Sequence, residues 1–157
     1  MGERARILVI DDDESIRKVL ASILEEEGYI VHTAQSGKEG IERTLSEFYN
    51  LALIDIRLPD MDGTKVLASI KETTPPMVKI IVTGYPSLQN AIDAVNKGAD
   101  AYILKPFKVD NVLDVIREHL KRQKENKKYS ERKILEFIQT RAQELDQERA
   151  LAHARSN

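Results

Sequence analysis

Short apolar runs rich in β-branched residues alternate with longer amphipathic segments along the first 121 residues. The apolar runs have the length and composition of strands buried on both faces, and they predict strands at 5–10, 29–34, 50–54, 77–82 and 101–104. The segments between and after them repeat apolar residues with the period of a helix, and they predict helices at 14–27, 37–47, 64–73, 88–97 and 109–121.

Local signals support these helix boundaries. Gly28 and Gly98 are placed where helices would end, and Ser36 followed by Glu39 forms a capping box that opens the second helix. Five strands that are each followed by a helix predict an α/β fold with a doubly wound five-stranded parallel sheet. This is the flavodoxin-like architecture with strand order 2-1-3-4-5, in which ligands bind beyond the carboxyl ends of the strands.

Composition adds limits to this picture. The chain has 157 residues, enough for one domain with a substantial core, and it contains no cysteine, so it has no disulfide framework. Its amino-terminal apolar run is far too short for a signal peptide or a membrane span. We therefore expect a cytoplasmic protein with no membrane segment.

Polar side chains with complementary chemistry follow four of the five predicted strands. Asp11 and Asp12 follow the first strand, Asp55 the third, Thr83 the fourth and Lys105 the fifth. Each of them alone has an ordinary explanation as a solvated strand end or a helix cap. Because parallel strands meet at one edge of the sheet, the sequence predicts that the three carboxylates, the hydroxyl and the ammonium converge in one crevice.

The acidic group after the first strand requires an explanation of its own. Residues 11–14 are four consecutive acids that follow four branched apolar residues. Carboxylates this close repel one another and raise each other's pKa, so the arrangement costs stability unless a cation compensates it. A divalent cation between Asp11, Asp12 and Asp55 explains the surplus of charge better than helix capping, which needs only one acid.

The motifs at these strand ends resemble those of CheY-like receiver domains of two-component response regulators. The resemblance covers about residues 5–121. They are the acidic group after the first strand, DIRLPDMDG around Asp55, VTG at Thr83 and LKPF at Lys105. The resemblance implies that Asp55 is the phosphorylated residue. It also implies a Mg²⁺ ion held by Asp11, Asp12 and Asp55 and by the backbone carbonyl of Arg57.

The same resemblance assigns roles around the phosphoryl group. Thr83 would donate a hydroxyl and Lys105 a positive charge, so that Asp55, Thr83 and Lys105 form the catalytic set. Phosphorylation would pull the loop after the fourth strand toward the site, and this movement would be coupled to Tyr102 as the second switch residue. The resemblance also implies a cis bond between Lys105 and Pro106. Asp13 matches no ligand of the family and is interpreted as a helix-start residue.

The function implied is that of a response regulator in a phosphorelay. A sensor histidine kinase would supply the phosphoryl group, and an unidentified downstream protein would bind the face formed by the fourth strand, helix 88–97, the fifth strand and helix 109–121. The chain would then be no enzyme beyond catalysing its own phosphorylation and dephosphorylation.

Two alternatives belong to other classes. The stretch LVIDDDES also fits the opening motif of haloacid-dehalogenase-like phosphatases, with Asp11 as nucleophile and Asp13 as acid and base. Thr83 and Lys105 would suit that family too, but a later acidic pair for magnesium is missing and DIRLPDMDG stays unexplained. The second alternative is a phosphorylation-independent scaffold, for which we would expect one of the site residues to be lost.

Residues 122–157 form a charged tail after the receiver domain, which we assign to 1–121. Residues 1–120 carry a net charge of −6, whereas residues 121–157 carry a net charge of +4. Residues 107–157 contain no glycine or proline. The last helix is therefore expected to continue past 121, with a heptad-like stripe from Leu135 to Ala152 that suggests a short coiled coil and a weak homodimer helped by phosphorylation. We interpret the basic residues as a solvated helix face, which makes nucleic-acid binding improbable.

Overall fold

The computed structural model describes residues 3–156 and has an α/β architecture. Five strands form its sheet: β1 (Arg6–Ile10), β2 (Ile30–Ala34), β3 (Leu51–Ile54), β4 (Val78–Thr83) and β5 (Ala101–Leu104). Five helices alternate with them: α1 (Glu14–Glu26), α2 (Gly37–Ser46), α3 (Gly63–Ser69), α4 (Leu88–Asn96) and α5 (Val109–Ser156). The predicted strands and helices are all present.

The sheet is parallel throughout and its strand order is β2-β1-β3-β4-β5, which confirms the predicted topology. Ile10 pairs with Ile54 in the neighbouring strand, and Thr83 pairs with Leu104. This register places the residues that follow β1, β3 and β5, and the end of β4, along one edge of the sheet.

The core lies on both faces of the sheet because successive strand residues point in opposite directions. On one face, Ile7 and Val9 belong to a buried cluster with Leu24 and Ile116 from the helices. On the other face, Leu8 and Ile10 join residues of α3. Burial of β1 on both sides explains its continuous apolar sequence and fixes the position of the acids that follow it.

The helix boundaries follow the signals in the sequence. Gly28 and Gly98 adopt positive φ angles of 93° and 96°, a conformation that favours glycine. Ser36 accepts a hydrogen bond from the Glu39 amide and opens α2. Asp13 opens α1 by accepting a hydrogen bond from the Ile16 amide, which agrees with its interpretation as a helix-start residue.

Helix α3 is shorter than the predicted helix 64–73, because it ends at Ser69. Ile70 has extended backbone angles and only 6% of its surface is exposed, so the chain leaves the helix there in order to bury this side chain. Pro75 and Pro76 also restrict the residues before them to extended conformations. Burial of one apolar residue therefore overrides a helical pattern that continues beyond it.

The chain forms two compact units, and the boundary between them falls within α5, after Lys121. The first unit contains the sheet, and the second is the helical stretch that begins at Arg122. No helix within residues 3–156 is both apolar enough and long enough to cross a membrane.

Candidate functional site

The polar residues predicted to converge do lie at the carboxyl edge of the sheet. Asp11 and Asp55 are 3% and 6% exposed, and Thr83 is fully buried, whereas Asp12 is exposed to solvent. The fold thus buries two carboxylates side by side at the ends of adjacent strands, with a third at the rim. Buried carboxylates are rare unless they are paired with a cation.

Lys105 supplies that pairing in the described chain. Its Nζ atom lies 2.6 Å from Oδ2 of Asp11 and 3.2 Å from Oδ2 of Asp55. The other oxygen of Asp11, Oδ1, accepts a hydrogen bond of 2.9 Å from the Asp13 amide. The sequence placed Lys105 in the crevice but did not anticipate that it would bridge these two acids.

One ammonium does not compensate the site fully, and the pKa of Asp55 reflects this. Burial raises the pKa of Asp55, the charge of Asp11 raises it further, and Lys105 opposes both effects only in part. For Lys105, burial works against the charged form, but the hydrogen bond and charge of Asp11, together with Asp55, outweigh it and raise the pKa. Asp55 therefore lies where further positive charge is favoured.

The three carboxylates are close enough to hold a metal ion together. Asp11, Asp12 and Asp55 each offer one oxygen, and these oxygens lie within 4.8 Å of one another. The three negative charges of the carboxylates and the one positive charge of Lys105 leave two negative charges, which matches the charge of a divalent cation. Carboxylate oxygens are the hard ligands that Mg²⁺ prefers, so the donor set fits this ion.

Thr83 joins the site from β4. Its hydroxyl oxygen accepts a hydrogen bond of 3.1 Å from the Tyr85 amide, and its carbonyl accepts one of 2.8 Å from the Lys105 amide. The second of these bonds ties the ends of β4 and β5 together. The hydroxyl keeps its own proton for donation.

Two exposed side chains cover the rim of the edge. The guanidinium carbon of Arg57 lies 3.8 Å from the centre of the Tyr85 ring, a close cation–π contact. Arg57 is two residues after Asp55, and Tyr85 is two residues after Thr83. The contact therefore joins the loops that carry the acid and the hydroxyl.

Tyr102, the second predicted switch residue, lies on β5 next to Ile81 of β4. Its hydroxyl oxygen is buried and has no hydrogen-bond partner among the described residues. Burial raises the pKa of Tyr102, and the neighbouring Ser87 backbone opposes this shift without reaching hydrogen-bond geometry. A buried hydroxyl without a hydrogen-bond partner costs free energy, so this position of the Tyr102 ring is energetically unfavourable.

The loop after Asp55 contains a glycine whose importance the sequence analysis missed. A Cβ atom on Gly63 would lie 2.2 Å from the carbonyl oxygen of Asp55, and the Gly63 amide donates a hydrogen bond of 2.7 Å to the Ile56 carbonyl. The loop thus folds directly behind the acid. The sequence signal for this tight loop is the pair Asp62-Gly63, which is typical of a turn, and Asp62 also caps the start of α3.

A second residue of this loop, Asp60, was also missed. Its carboxylate oxygens accept hydrogen bonds of 2.8 Å from the Gly37 amide and 2.9 Å from the Lys38 amide, at the start of α2. The Lys38 amide, followed by the Gly37 amide, lowers the pKa of Asp60 by stabilising its charged form. Asp60 therefore tethers the loop behind Asp55 to a helix distant in sequence, which no local pattern reveals.

The family of the chain follows from a match to the response regulator receiver domain over residues 7–117. The chain belongs to this family. A CheY-like response regulator receiver domain protein from Methanospirillum hungatei JF-1 is 46% identical, with a TM-score of 0.77 over 79% of this chain and 99% of that one. These findings confirm the fold and the two-component class.

The matched relatives differ in length. The transcriptional regulatory protein ZraR of Escherichia coli is 36% identical over 114 residues, which are 73% of this chain and 26% of ZraR. The chain thus spans about a quarter of the length of this curated relative. A response regulator from Burkholderia pseudomallei, solved with a phosphorylated aspartic acid and a calcium ion, is 33% identical with a TM-score of 0.66, over 69% of this chain and 64% of that one.

The phosphatase alternative is not favoured. The receiver family accounts for residues 7–117, including the DIRLPDMDG segment that this alternative left unexplained. Asp13, which would be its acid and base, instead caps α1 and is exposed. The scaffold alternative predicted the loss of a site residue, whereas the acids, Thr83 and Lys105 are all present at the sheet edge.

Proposed function

We propose that the chain accepts a phosphoryl group on Asp55 from a sensor histidine kinase, with Mg²⁺, and signals through a change of conformation. The observation that carries this proposal is the environment of Asp55, which is buried beside Asp11 and Lys105 and has its pKa raised by burial and by the charge of Asp11. A site built in this way gains stability when a cation and a phosphoryl group arrive together.

In the proposed transfer, an oxygen of Asp55 attacks the phosphorus of a phosphohistidine. The new O–P bond forms as the N–P bond breaks, and the imidazole nitrogen of the kinase keeps the electron pair and takes up a proton. A carboxylate is a weak nucleophile toward an anionic phosphoryl group, so the rate depends on positioning and on neutralisation of charge. The same site would supply this chemistry for hydrolysis, and the chain would catalyse no other reaction.

The proposed cofactor is a Mg²⁺ ion held by the carboxylates of Asp11, Asp12 and Asp55 and by the carbonyl of Arg57. When bound, it neutralises the oxygens of the transferred group. Asp12 lies at the exposed rim of the cluster, where it can bind a partly hydrated ion without leaving solvent.

Lys105 and Thr83 would act on the transferred group. We assign to Lys105 an exchange of its carboxylate contact at Asp55 for the phosphoryl oxygens, since its Nζ atom is already 3.2 Å from Oδ2 of that residue. Thr83 would donate its hydroxyl proton to a phosphoryl oxygen. That movement shifts the loop after β4, and the unpartnered hydroxyl of Tyr102 is placed to follow it.

The proposed output is a protein partner that binds the face around α4 and β5. Several apolar side chains are exposed there, at Leu88, Ile92, Val95 and Leu104. ZraR is named a transcriptional regulatory protein, but the match covers only 26% of it, so a nucleic-acid partner does not follow for this chain. The B. pseudomallei relative with a phosphorylated aspartic acid supports phosphorylation as the trigger.

The test is to locate the phosphoryl group. We expect incubation with Mg²⁺ and acetyl phosphate, followed by borohydride reduction and mass spectrometry, to label Asp55, and Asp55→Asn to lose the label. Asp13→Asn is the matched control, because asparagine caps a helix as well as aspartate does but cannot act as an acid. A label on Asp11, or loss of labelling in Asp13→Asn, would refute the proposal in favour of the phosphatase.

A further inference from the structure

The second unit presents apolar side chains to solvent along α5. Every residue from 124 to 155 is exposed. The larger apolar residues among them include Leu135 at 59%, Ile138 at 55% and Leu145 at 38% exposure. An exposed stripe of this kind is typical of a helix that packs against another helix.

The spacing of the stripe selects one seam along the helix. Alternating steps of three and four residues give Leu135, Ile138, Ala142, Leu145, Arg149 and Ala152, which we call the 135–152 seam. The adjacent seam through Ile134 and Ile138 would place two charged residues, Arg141 and Glu148, at its centre. The 135–152 seam contains only one charged residue and is therefore the better packing surface.

The residues that flank the seam carry complementary charges. Arg141 precedes Ala142 on one side of the seam, and Asp146 follows Leu145 on the other side. In a parallel pair of helices in register, these two positions of opposite chains face each other. Glu148 and His153 occupy the equivalent positions one heptad later.

We propose that two copies of this chain pair through the 135–152 seam as a parallel coiled coil in register, with Arg141 of each copy opposite Asp146 of the other. Arg141 is half exposed and pairs with Glu144 of its own helix at 3.0 Å, so its guanidinium already lies at the helix surface. This pairing does not depend on the proposed phosphorylation of Asp55.

The flanking charges also distinguish this arrangement from an antiparallel one. Antiparallel overlap of the same seam would bring Arg141 near Glu148 and would leave Asp146 opposite Gln139. Only the parallel arrangement matches Arg141 with Asp146. Exchanging those two charges therefore tests both the pairing and its direction.

The pairing should be weak. The seam has about three heptads, contains two alanines and places Arg149 in both copies at the same level. Sedimentation equilibrium on the full chain should therefore cover about 10 μM to about 1 mM, the range in which a weak complex forms. We expect a reversible dimer of the unsubstituted chain within this range.

Two charge reversals give the decisive comparison. In a dimer of Arg141→Asp an acid faces an acid on each side of the seam, and in a dimer of Asp146→Arg a base faces a base on each side. Because symmetry counts each contact twice and attraction becomes repulsion, we expect each variant alone to dimerise about tenfold more weakly. An equimolar mixture of the two variants, and the double variant Arg141→Asp/Asp146→Arg, should recover the original affinity.

Matched controls carry the same changes of charge away from the seam. Lys133→Asp and Glu136→Arg alter net charge as the two reversals do, and we expect less than a twofold change in affinity. A chain that stays monomeric throughout the concentration range overturns the proposal. The proposal is also overturned if the equimolar mixture of the two single variants does not recover the original affinity. The same holds if the mixture recovers it but the double variant does not.

Discussion

The acidic edge of the sheet and the exposed end of α5 hold charged side chains in opposite ways. At the edge, the sheet buries Asp11 and Asp55 and brings Lys105 to both of them, although they are 94 and 50 residues away from it in sequence. Beyond Lys121, the ion pair between Arg141 and Glu144 joins residues three positions apart on the same helix.

This difference determines how sensitive each region is to substitution. A buried charge at the sheet edge has a position fixed by buried backbone, so removing it changes both the chemistry and the stability of the fold. A charge on the exposed helix is screened by water and contributes little to the stability of a single chain. In the proposed dimer, its contribution depends on a second chain.

The largest effect is expected for Asp12→Ala, which we predict to reduce phosphorylation by acetyl phosphate by at least about 100-fold through loss of an exposed metal ligand. The metal-free fold should be as stable as before or more stable, because Asp12 only adds repulsion to Asp11 and Asp55. Phosphoprotein yield and thermal unfolding in EDTA measure the two quantities. A clear loss of stability in the metal-free variant would instead make Asp12 a structural cap.

The next largest effect concerns Gly63. Replacing it with alanine puts a Cβ atom against the Asp55 carbonyl, and we expect the free energy of unfolding to fall by about 3 kcal/mol. Gly84→Ala is the matched control at the edge, because its Cβ would lie 3.7 Å from Lys105 Cβ, an ordinary contact. Leu151→Ala, on the exposed helix, should change stability by less than about 0.5 kcal/mol. Denaturant unfolding would contradict the prediction if Gly63→Ala resembled Leu151→Ala.

A smaller effect follows from the raised pKa of Asp55, which burial and the charge of Asp11 cause. The folded chain binds the proton of the Asp55 carboxyl more tightly than the unfolded chain does. The stability gained from this proton is therefore present below the unfolded-state pKa of Asp55 and is lost as the pH rises through its folded-state pKa. In EDTA, Asp55→Asn should therefore be more stable than the unsubstituted chain by about 1 kcal/mol at pH 7 and should lose this advantage in acid.

The exposed helix supplies the control for this experiment. Glu136→Gln removes a carboxylate that lies in solvent, so its stability should follow that of the unsubstituted chain across the pH range. An advantage of Asp55→Asn that did not vary with pH would show that titration of the carboxylate is not its cause.

The smallest effect at the edge is expected for Tyr85→Ala. Its ring and Arg57 form a contact over the site, which should slow the attack of water on the acyl phosphate. Because an exposed cation–π contact contributes about 0.5–1 kcal/mol, its loss should shorten the lifetime about threefold. Phosphate release after removal of the phosphodonor measures this lifetime. A lifetime of only seconds in the unsubstituted chain would contradict the shielding.

The strand pattern predicted the sheet because the central strands β1, β3 and β4 are buried on both faces, so their sequences alone indicate their environment. The edge residues then followed from topology, and Asp11, Asp55, Thr83 and Lys105 do lie together. Their roles in phosphorylation stay predictions. The predicted end of α3 was wrong because burial of Ile70 depends on its neighbours in space and not on local periodicity.

The bridge from Lys105 to both acids and the tether from Asp60 to α2 could not be predicted for the same reason. Each contact joins elements that are distant in sequence, and nothing in the local pattern distinguishes Asp60 from an ordinary turn residue. Gly63 was missed because its importance depends on how closely the loop folds behind Asp55.

The Asp60 tether also makes the start of α2 a remote reporter of the acidic edge. The amide hydrogens of Gly37 and Lys38 are held by a carboxylate on the same loop as Asp55, so their exchange with deuterium depends on how firmly that loop is anchored. Binding of metal or a phosphoryl group at the edge would then register in two amides that touch neither. Isotope labelling of these backbone positions would follow the state of the site without altering any residue in it.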